Sequence, residues 1–410
     1  MGFNPLDEKG LPAEKQVANW DTANVQPFDK NDVHPYTRTR VILMNGIEVE
    51  GAIFKHQFAR HCPDIELRRK IAQSRRIEQQ QQKMVNWLIP GDQTNLEVTL
   101  GFEQVAVDLT SWLARTEPNE HVKAALDFAL LEDFDHLYRY ANLYEMTEGK
   151  TAERVIGSDL TEVFPGRPTV SEHQHPFDTI REYVDFGSVD PITKLHILTI
   201  IAAEQQTMNL YMNIGNRPDS SLARGLYLEI AQIEEQHVSH YESLLDPRQS
   251  WFERAVMHEY NECYLYWSCM ESETDNRIKD MWKFHLDCEI GHLHDAIQMA
   301  KDEEGVDYAE QLPDELPEAT IFQSNVDYVR DIEAEQVDWT GNRERIVPGD
   351  QHPETYEQYQ SAVNVDGDAP SQRVIHKHIT EKGMDYRLEI KGEHPVGRFV
   401  SRDEVPKAVC

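Results

Sequence analysis

The chain is poor in cysteine, and its cysteines form no CxxC pair. Its 410 residues include five cysteines, which are Cys62, Cys263, Cys269, Cys288 and Cys410. The absence of a CxxC pair excludes a rubredoxin-type iron site, a zinc ribbon and a thioredoxin-like motif. Scattered cysteines in a long chain indicate reduced thiols, so we expect a cytoplasmic protein.

Long apolar runs and basic residues are also scarce. No run approaches the roughly 20 apolar residues of a membrane-spanning helix. The opening stretch MGFNPLDEKG lacks the basic and apolar regions of a secretory signal. The chain has 73 Asp and Glu against 40 Lys and Arg, a formal charge of −33, which argues against a nucleic-acid partner because phosphate binding needs a basic face. The excess acids fit a solvated surface, salt adaptation or buried metal ligands, and composition leaves these three explanations open.

Apolar residues recur at helical spacing in two sets of four segments, separated by turn residues, and predict an all-α fold with two tandem four-helix bundles. The predicted helices cover residues 38–60, 64–88, 93–115 and 119–147, and then 190–214, 218–245, 249–272 and 275–303. The predicted division is an N-terminal arm (1–36), a first bundle (37–147), a linker without a long helix (148–189), a second bundle (190–303) and an irregular, acidic C-terminal extension (304–410). Within the extension, residues 373–379 and 384–391 alternate like strands and predict a β-hairpin.

The second set of helices carries acids and histidines at a repeated spacing. These residues are Glu204, Glu234, His237, Glu259, Glu289 and His292. From Glu204 to Glu234, and again from Glu259 to Glu289, the spacing is 30 residues, and each second glutamate has a histidine three positions later. Residues at i and i+3 share one helix face. A lone Glu on each of two helices and Glu-x-x-His on each of the other two is the ligand set of bundle-core di-iron and di-manganese proteins.

These acids lie within mainly apolar stripes of their helices, as Glu204 does beside Ile197 and Ile201. Burying unpaired carboxylates costs several kcal/mol each, and the stripes include no Lys or Arg to pair with them. Four acids facing one core would repel one another unless cations lie between them. The pattern therefore predicts two bound metal ions, and a salt-bridged polar core is the structural alternative.

The first set of helices repeats the pattern 156 residues earlier. Its matching residues are Glu48, Glu78, Gln81, Glu103, Asp133 and His136. A repeat of this length indicates tandem duplication of a four-helix unit. Gln81 replaces a histidine, and an amide is a poorer iron ligand than imidazole. The first bundle therefore has a second, weaker candidate site, and we expect it to bind metal weakly, to bind one ion, or to bind none.

Several residues near these positions have more than one interpretation. His285 is a further ligand, a group that contacts a ligand, or a core histidine. Tyr211 and Tyr266 lie two turns beyond a predicted ligand and serve in radical or proton transfer, or only in packing. Glu262 shares part of the face of Glu259 and is its rival as a ligand.

The chain resembles the ferritin-like superfamily, which includes rubrerythrins, bacterioferritins and di-iron oxygenases. The resemblance rests on the Glu, Glu-x-x-His, Glu, Glu-x-x-His series of residues 204–292 and on its degenerate tandem copy. It implies that Glu234 and Glu289 bridge two metals, that Glu204 and His237 complete one, and that Glu259 and His292 complete the other. Only 25 residues separate Glu234 from Glu259, whereas ferritins use a long crossover there, so we expect an up-down-up-down bundle.

We therefore expect a di-iron or di-manganese carboxylate oxidoreductase that activates O₂ or peroxide at a bundle-core site. Nitrogen and oxygen ligands with open positions suit iron or manganese better than zinc or copper. A ferroxidase or iron-handling protein and a metal-stapled structural protein are the alternatives. The expected partners are O₂ or peroxide and an unidentified electron donor or small-molecule substrate, with no nucleic acid and no membrane; a homo-oligomer stays open.

Overall fold

Eight long helices account for most of the chain. The computed structural model describes residues 2–364, 367–390 and 394–397, so Cys410 lies outside the described residues. The long helices are α1 (Pro35–His61), α2 (Ile65–Trp87), α3 (Asn95–Thr116), α4 (Glu120–Glu148), α5 (Pro191–Ile214), α6 (Ser221–Glu242), α7 (Trp251–Ser272) and α8 (Asn276–Glu303). The all-α fold class is confirmed, and each predicted helix is present with its ends within a few residues of the prediction. Among the described residues, no helix is long and apolar enough to cross a membrane.

Local signals explain where these helices begin and end. The carboxylate of Asp64 accepts a hydrogen bond from the Leu67 N–H and caps α2, while Ser220 and Ser250 cap α6 and α7 in the same way. Each such cap contributes about 1 kcal/mol to helix stability. Gly149 ends α4 with a φ of 65°, a left-handed conformation that favours glycine.

Shorter elements fill the segments between and around these helices. In the arm and linker they are Pro5–Asp7, Ala13–Gln16, Trp20–Ala23, Glu153–Ile156, Thr169–Glu172 and Pro176–Asp178. The extension contains Tyr308–Gln311, α9 (Val326–Gln336), β1 (Trp339–Asn342), β2 (Arg345–Pro348), Gly349–Gln351, α10 (Glu354–Val363) and α11 (Pro370–Lys382). Strands β1 and β2 form an antiparallel hairpin in which Trp339 pairs with Pro348.

The extension does contain a β-hairpin, but the predicted position is wrong. Residues 373–379 belong to α11, which starts at Pro370 and ends before Gly383, whose φ is 85°. A proline in the first turn and a left-handed glycine after the last turn are helix boundary signals. Val374, Ile375 and His378 are buried on one face of α11, so their spacing is helical. Residues 384–390 form no strand of a hairpin, and residue 391 lies outside the described residues.

The chain divides into two compact units that differ from the predicted bundles. Unit 1 comprises Met1–Gly91, Asp185–Ala203 and Asp246–Phe322, and unit 2 comprises Asp92–Val184, Glu204–Leu245 and Gln323–Cys410. Unit 1 thus combines α1 and α2 from the first half of the repeat with α7 and α8 from the second. Unit 2 combines α3 and α4 with α6 and the end of α5. The predicted boundaries 37–147 and 190–303 are therefore wrong as spatial domains, although their helices are right.

Each unit has its own core. In unit 1, α7 packs on α8 and on α1, and α2 packs on α1 and α8. Its apolar cluster includes Phe54, Phe58 and Ile71. In unit 2, α3 and α6 both pack on α4, while α9 and α11 cover the same helix. The predicted C-terminal extension therefore completes the core of unit 2 from residue 323 onward.

Candidate metal centres

Buried carboxylates and imidazoles gather in one cluster in each unit. In unit 1 the donor atoms that lie within 4.8 Å of one another form two groups, Glu78, Glu259, Glu289 and His292, and then Glu48, Glu262 and Glu289. In unit 2 the groups are Asp133, Glu204, Glu234 and His237, and then Glu103, His136 and Glu234. Each cluster therefore offers two adjacent positions for a cation, and one glutamate is common to both positions.

The structure groups the predicted ligands differently from the sequence analysis. Glu204, Glu234 and His237 lie with Glu103, Asp133 and His136, and Glu259, Glu289 and His292 lie with Glu48 and Glu78. Gln81 belongs to the unit 1 cluster, where its amide donates a hydrogen bond to Glu289. The predicted residues are all buried, but the single six-residue site of the second half and the weaker site of the first half are both wrong groupings. Because the halves are repeats, each helix stripe has two equivalent partners, and periodicity cannot choose between them.

The imidazole of His237 is oriented between an outer and an inner set of carboxylates in unit 2. Its Nε2 lies 2.6 Å from Glu132 Oε2. Because a carboxylate only accepts, Nε2 carries the proton and the lone pair of the neutral ring is on Nδ1. This Nδ1 lies 3.3 Å from Asp133 Oδ1 and 3.5 Å from Glu204 Oε2. A lone pair that faces carboxylates in this way fits a metal ligand held by an outer hydrogen bond.

His136 has the same arrangement on the other side of Glu234. Its Nε2 lies 3.1 Å from Glu172 Oε2, and its Nδ1 lies 3.2 Å from Glu234 Oε1 and 4.0 Å from Glu103 Oε2. The two imidazole centroids are 6.0 Å apart. The cluster thus has one imidazole for each cation position, with Glu234 between them.

The predicted linker places Glu172 at this site. Asp135 of α4 accepts hydrogen bonds from the backbone and side chain of Thr169, at 2.8 Å and 2.5 Å, and so fixes the short helix that ends at Glu172. From α6, Gln236 donates to the Glu172 carbonyl at 2.9 Å. Gly166 lets the linker approach α4, since an added Cβ would lie 2.8 Å from the Leu131 carbonyl. Glu132 and Glu172 escaped the sequence analysis because neither belongs to the repeated pattern.

The pKa values of the acids in the unit 2 cluster are shifted because four carboxyl groups are buried close together. Burial, and next the charge of Asp133, raises the pKa of Glu204 well above its usual value. Burial also raises the pKa of Glu103, to which the charge of Glu234 adds, although His136 opposes it. Glu234 differs: burial alone would raise its pKa, but the nearby imidazoles of His136 and His237 lower it to about 2. Without metal, burial therefore favours the protonated forms of Glu204 and Glu103.

Tyrosines surround this cluster. The Tyr211 hydroxyl donates a hydrogen bond to Glu103, and its ring packs 5.4 Å from Tyr140 and 5.7 Å from Tyr227. All three rings are almost completely buried. Tyr211 therefore holds a candidate ligand, and it does so for a glutamate of the other half of the repeat.

The cluster of unit 1 has one imidazole and one lysine. His292 Nδ1 lies 2.8 Å from Glu289 Oε2, 3.6 Å from Glu78 Oε1 and 3.8 Å from Glu259 Oε2. The Lys55 ammonium donates to Glu259 Oε1 at 2.7 Å and also to Glu78. Lys55 lies on α1, in the first half of the repeat, so the apolar stripes of the second half gave no sign of it. Burial lowers the pKa of Lys55, but the nearby carboxylates, Glu259 foremost, outweigh it and raise the pKa above the usual value.

The N-terminal arm orients His292. His292 Nε2 lies 2.7 Å from the side-chain oxygen of Gln16. The Gln16 amide nitrogen donates to the carbonyls of Leu11 and Cys288, at 2.7 Å and 3.2 Å, so the amide orientation is fixed. Gly291 allows this approach, since a Cβ there would lie 2.2 Å from the Leu11 carbonyl. The arm thus supplies the outer hydrogen bond that Glu132 and Glu172 supply in unit 2.

Tyr266 contacts a candidate ligand of unit 1, and His285 contacts Tyr266. The Tyr266 hydroxyl donates to Glu48, and His285 Nδ1 lies 3.2 Å from that hydroxyl. Burial lowers the pKa of His285 to about 4, so the ring is neutral. Because the Tyr266 hydroxyl gives its proton to Glu48, the Nδ1–H of His285 donates to the hydroxyl oxygen. His285 is a buried core histidine that contacts Tyr266, and Tyr266 in turn holds the candidate ligand Glu48.

A cavity of about 600 Å³ adjoins the unit 1 cluster. Lys55, Glu259 and His292 contribute to its lining, together with apolar groups such as Phe58 and Met299. The cavity gives ions and small molecules a route to this cluster.

Comparison with known proteins identifies no family for this chain. No protein-family model, no curated protein and no solved structure matches the chain.

Proposed function

We propose that unit 2 binds two divalent metal ions, iron or manganese, and that the protein is an oxidoreductase of the ferritin-like superfamily that activates O₂ or peroxide. Asp133, Glu204, Glu234 and His237 would hold one ion, and Glu103, His136 and Glu234 the other. This set of four carboxylates and two imidazoles is the ligand set of bundle-core di-iron and di-manganese proteins.

One observation carries the proposal. Within the described part of the chain, eight buried atoms of the candidate ligands in this cluster have no hydrogen-bond partner. They are both carboxylate oxygens of Glu204 and of Glu234, Oε2 of Glu103, Oδ1 of Asp133, and Nδ1 of His136 and of His237. Buried polar atoms are nearly always satisfied, and each exception calls for an explanation such as an ion. Cations at the two positions would satisfy these atoms and would cancel the four negative charges.

The chemistry follows from the ligand type and the enclosure. Two adjacent iron or manganese ions with nitrogen and oxygen ligands can supply two electrons together to O₂ or peroxide. The outer carboxylates of Glu132 and Glu172 keep the Nδ1 lone pairs of the two imidazoles aimed inward. Tyr140, Tyr211 and Tyr227 exclude bulk water from one side of the site, and the Tyr211 hydroxyl donates a hydrogen bond to Glu103 Oε1.

The test is anaerobic loading of the full chain with Fe²⁺, followed by exposure to O₂. We expect rapid O₂ consumption with an absorbance change, and iron uptake that stops at about two to four ions per chain. Glu234→Gln should abolish most of this oxidation because Glu234 belongs to both ion positions. Glu235→Gln is the matched control, since Glu235 is the exposed neighbour of Glu234 on α6.

Other outcomes would favour one of the alternative functions or refute the assignment. Continued iron uptake far beyond four ions would indicate an iron-handling protein. Metal binding with no reaction toward O₂ or peroxide would indicate that metal only stabilises the fold. Equal oxidation rates in the wild type and Glu234→Gln would refute the assignment of unit 2.

A further inference from the structure

The repeat permits a position-by-position comparison of the two clusters. Residues that differ by 156 in number occupy matching places, so Glu48 matches Glu204 and His292 matches His136. The other matched pairs are Glu78 with Glu234, Gln81 with His237, Glu259 with Glu103, and Glu289 with Asp133. Unit 1 therefore lacks one donor of unit 2, which is the imidazole of His237.

Glu262 reaches the place where that donor is missing. Its side chain is 2 % exposed, and its carboxylate lies within 4.8 Å of the donor oxygens of Glu48 and Glu289. Among the described residues, Glu262 Oε2 and Glu48 Oε2 have no hydrogen-bond partner. A buried acid aimed at two other acids, with an oxygen unsatisfied, indicates a cation among the three.

The helix opposite Glu262 has space for it. A Cβ on Gly51 of α1 would lie 2.6 Å from Glu262 Oε1, closer than two such atoms can approach, so a larger residue there would displace the carboxylate. The repeat has the opposite combination in unit 2, where Thr207 matches Gly51 and Ala106 matches Glu262. At this pair of positions, only unit 1 combines a glycine with an acid.

The charges of the two clusters also match. Unit 1 has five carboxylates, from Glu48, Glu78, Glu259, Glu262 and Glu289, and one ammonium, from Lys55. Unit 2 has four carboxylates, and Tyr211 stands in the place of Lys55. With neutral imidazoles, each cluster carries four net negative charges, which two divalent ions cancel. Lys55 therefore offsets the additional acid and leaves the demand for two ions unchanged.

We propose that unit 1 holds a second two-metal centre, in which Glu262 replaces an imidazole as a ligand. One of its ions then has oxygen ligands only, from Glu48, Glu262 and Glu289, with the Gln81 amide beside them. Fe²⁺ binds a given site of oxygen and nitrogen ligands more tightly than Mn²⁺ does, but oxygen ligands suit Mn²⁺ and imidazole suits Fe²⁺. The oxygen-only position should therefore prefer Fe²⁺ the least and hold the largest share of manganese when both metals are offered.

The experiment counts metal in the full-length protein after anaerobic loading with Mn²⁺ or Fe²⁺ and removal of free ions. We expect four ions per wild-type chain and three in Glu262→Gln, which keeps the side-chain shape. Under an equal mixture of the two metals, Glu262→Gln should lower the manganese-to-iron ratio of the bound metal, because the lost position holds the largest share of manganese. Glu271→Gln is the control, since Glu271 is exposed on the same helix, and it should keep four ions.

A rescue variant separates a ligand role from a structural one. The triple variant Lys55→Tyr, Gln81→His and Glu262→Ala gives unit 1 the residues that unit 2 has at these places, and it should again bind four ions, with less manganese. Circular dichroism confirms that each variant is folded.

Two results would overturn the proposal: equal metal counts in the wild type and Glu262→Gln, or a wild-type count of three that Lys55→Met raises to four. The second result would mean that the ammonium takes the place of an ion. Glu234→Gln reports on unit 2 alone, so a failure of the proposed function is distinguishable from a failure here.

Discussion

The outer carboxylate Glu132 offers a direct test of how unit 2 holds its metal. Glu132 Oε2 accepts from His237 Nε2 at 2.6 Å, and Oε1 accepts from Arg167 Nη1 at 3.2 Å. Both Glu132 and Arg167 are buried. Glu132→Gln keeps the size of the side chain but removes the charge, so one of its two donors must face an amide nitrogen instead of an oxygen.

The expected loss has two parts. Replacing an outer hydrogen-bond partner of a metal-bound histidine weakens metal binding about 10- to 100-fold, which is about 1.4–2.8 kcal/mol. The ion that His237 contacts should bear this loss, while the ion at His136 should be much less affected. The metal-free protein should also lose about 3 kcal/mol of stability, because Arg167 is left buried without its counter-charge.

The assay is titration of the metal-free protein with Mn²⁺ in competition with a chelator, combined with thermal unfolding of both states. Glu172→Gln is the paired variant, since it should weaken the ion at His136 and leave the other in place. Glu132→Gln should therefore weaken binding of the ion at His237, and Glu172→Gln should weaken binding of the ion at His136, while the other ion keeps its affinity in each variant. Unchanged affinities in both variants, with only a lower melting temperature, would refute the idea that these carboxylates orient metal ligands.

Three further outcomes follow from other parts of the structure. Burial raises the pKa of Asp108 to about 8 despite a hydrogen bond from Thr161. The folded protein therefore favours the protonated carboxyl, and this contribution to stability is present at low pH and is lost as the pH rises from about 4 to 8. The melting temperature of the metal-free protein should fall over that range, and it should fall less in Asp108→Asn. Gly166→Val should push the linker off α4 and weaken metal binding in unit 2 without removing any ligand, as metal titration would show. Ala255→Trp should narrow the cavity beside the unit 1 cluster and slow the loading of its ions in stopped-flow measurements, with unit 2 loading unchanged.

The helices could be predicted from the sequence because their signals are local. Apolar periodicity and caps such as Asp64, Ser220 and Ser250 act within a few residues, so they specify each helix whatever it later packs against. The strand prediction at residues 373–379 failed for the same reason: a short stretch fits both periods, and Pro370 and Gly383 decide the outcome from outside it.

The partners of the helices could not be predicted in the same way. Glu259 and Glu103 occupy matching positions of a repeat, so either could join Glu204 with the same spacing and the same stripe. The choice depends on packing between distant segments, which a periodic pattern does not record. Glu172 and Gln16 were missed because they lie in the predicted linker and arm, outside the repeated pattern. Their contacts with the candidate ligands form only when these segments pack against the long helices.

The mixed composition of the units has a consequence for synthesis. Helices α1 and α2 are complete at Trp87, but their partners in unit 1, α7 and α8, end only at Glu303. At about 5–20 residues per second, the roughly 200 intervening residues take about 10–40 s to leave the ribosome. During that time the acidic and apolar face of the first helix pair has no native partner. A truncated chain that ends after the first repeat can therefore complete neither unit.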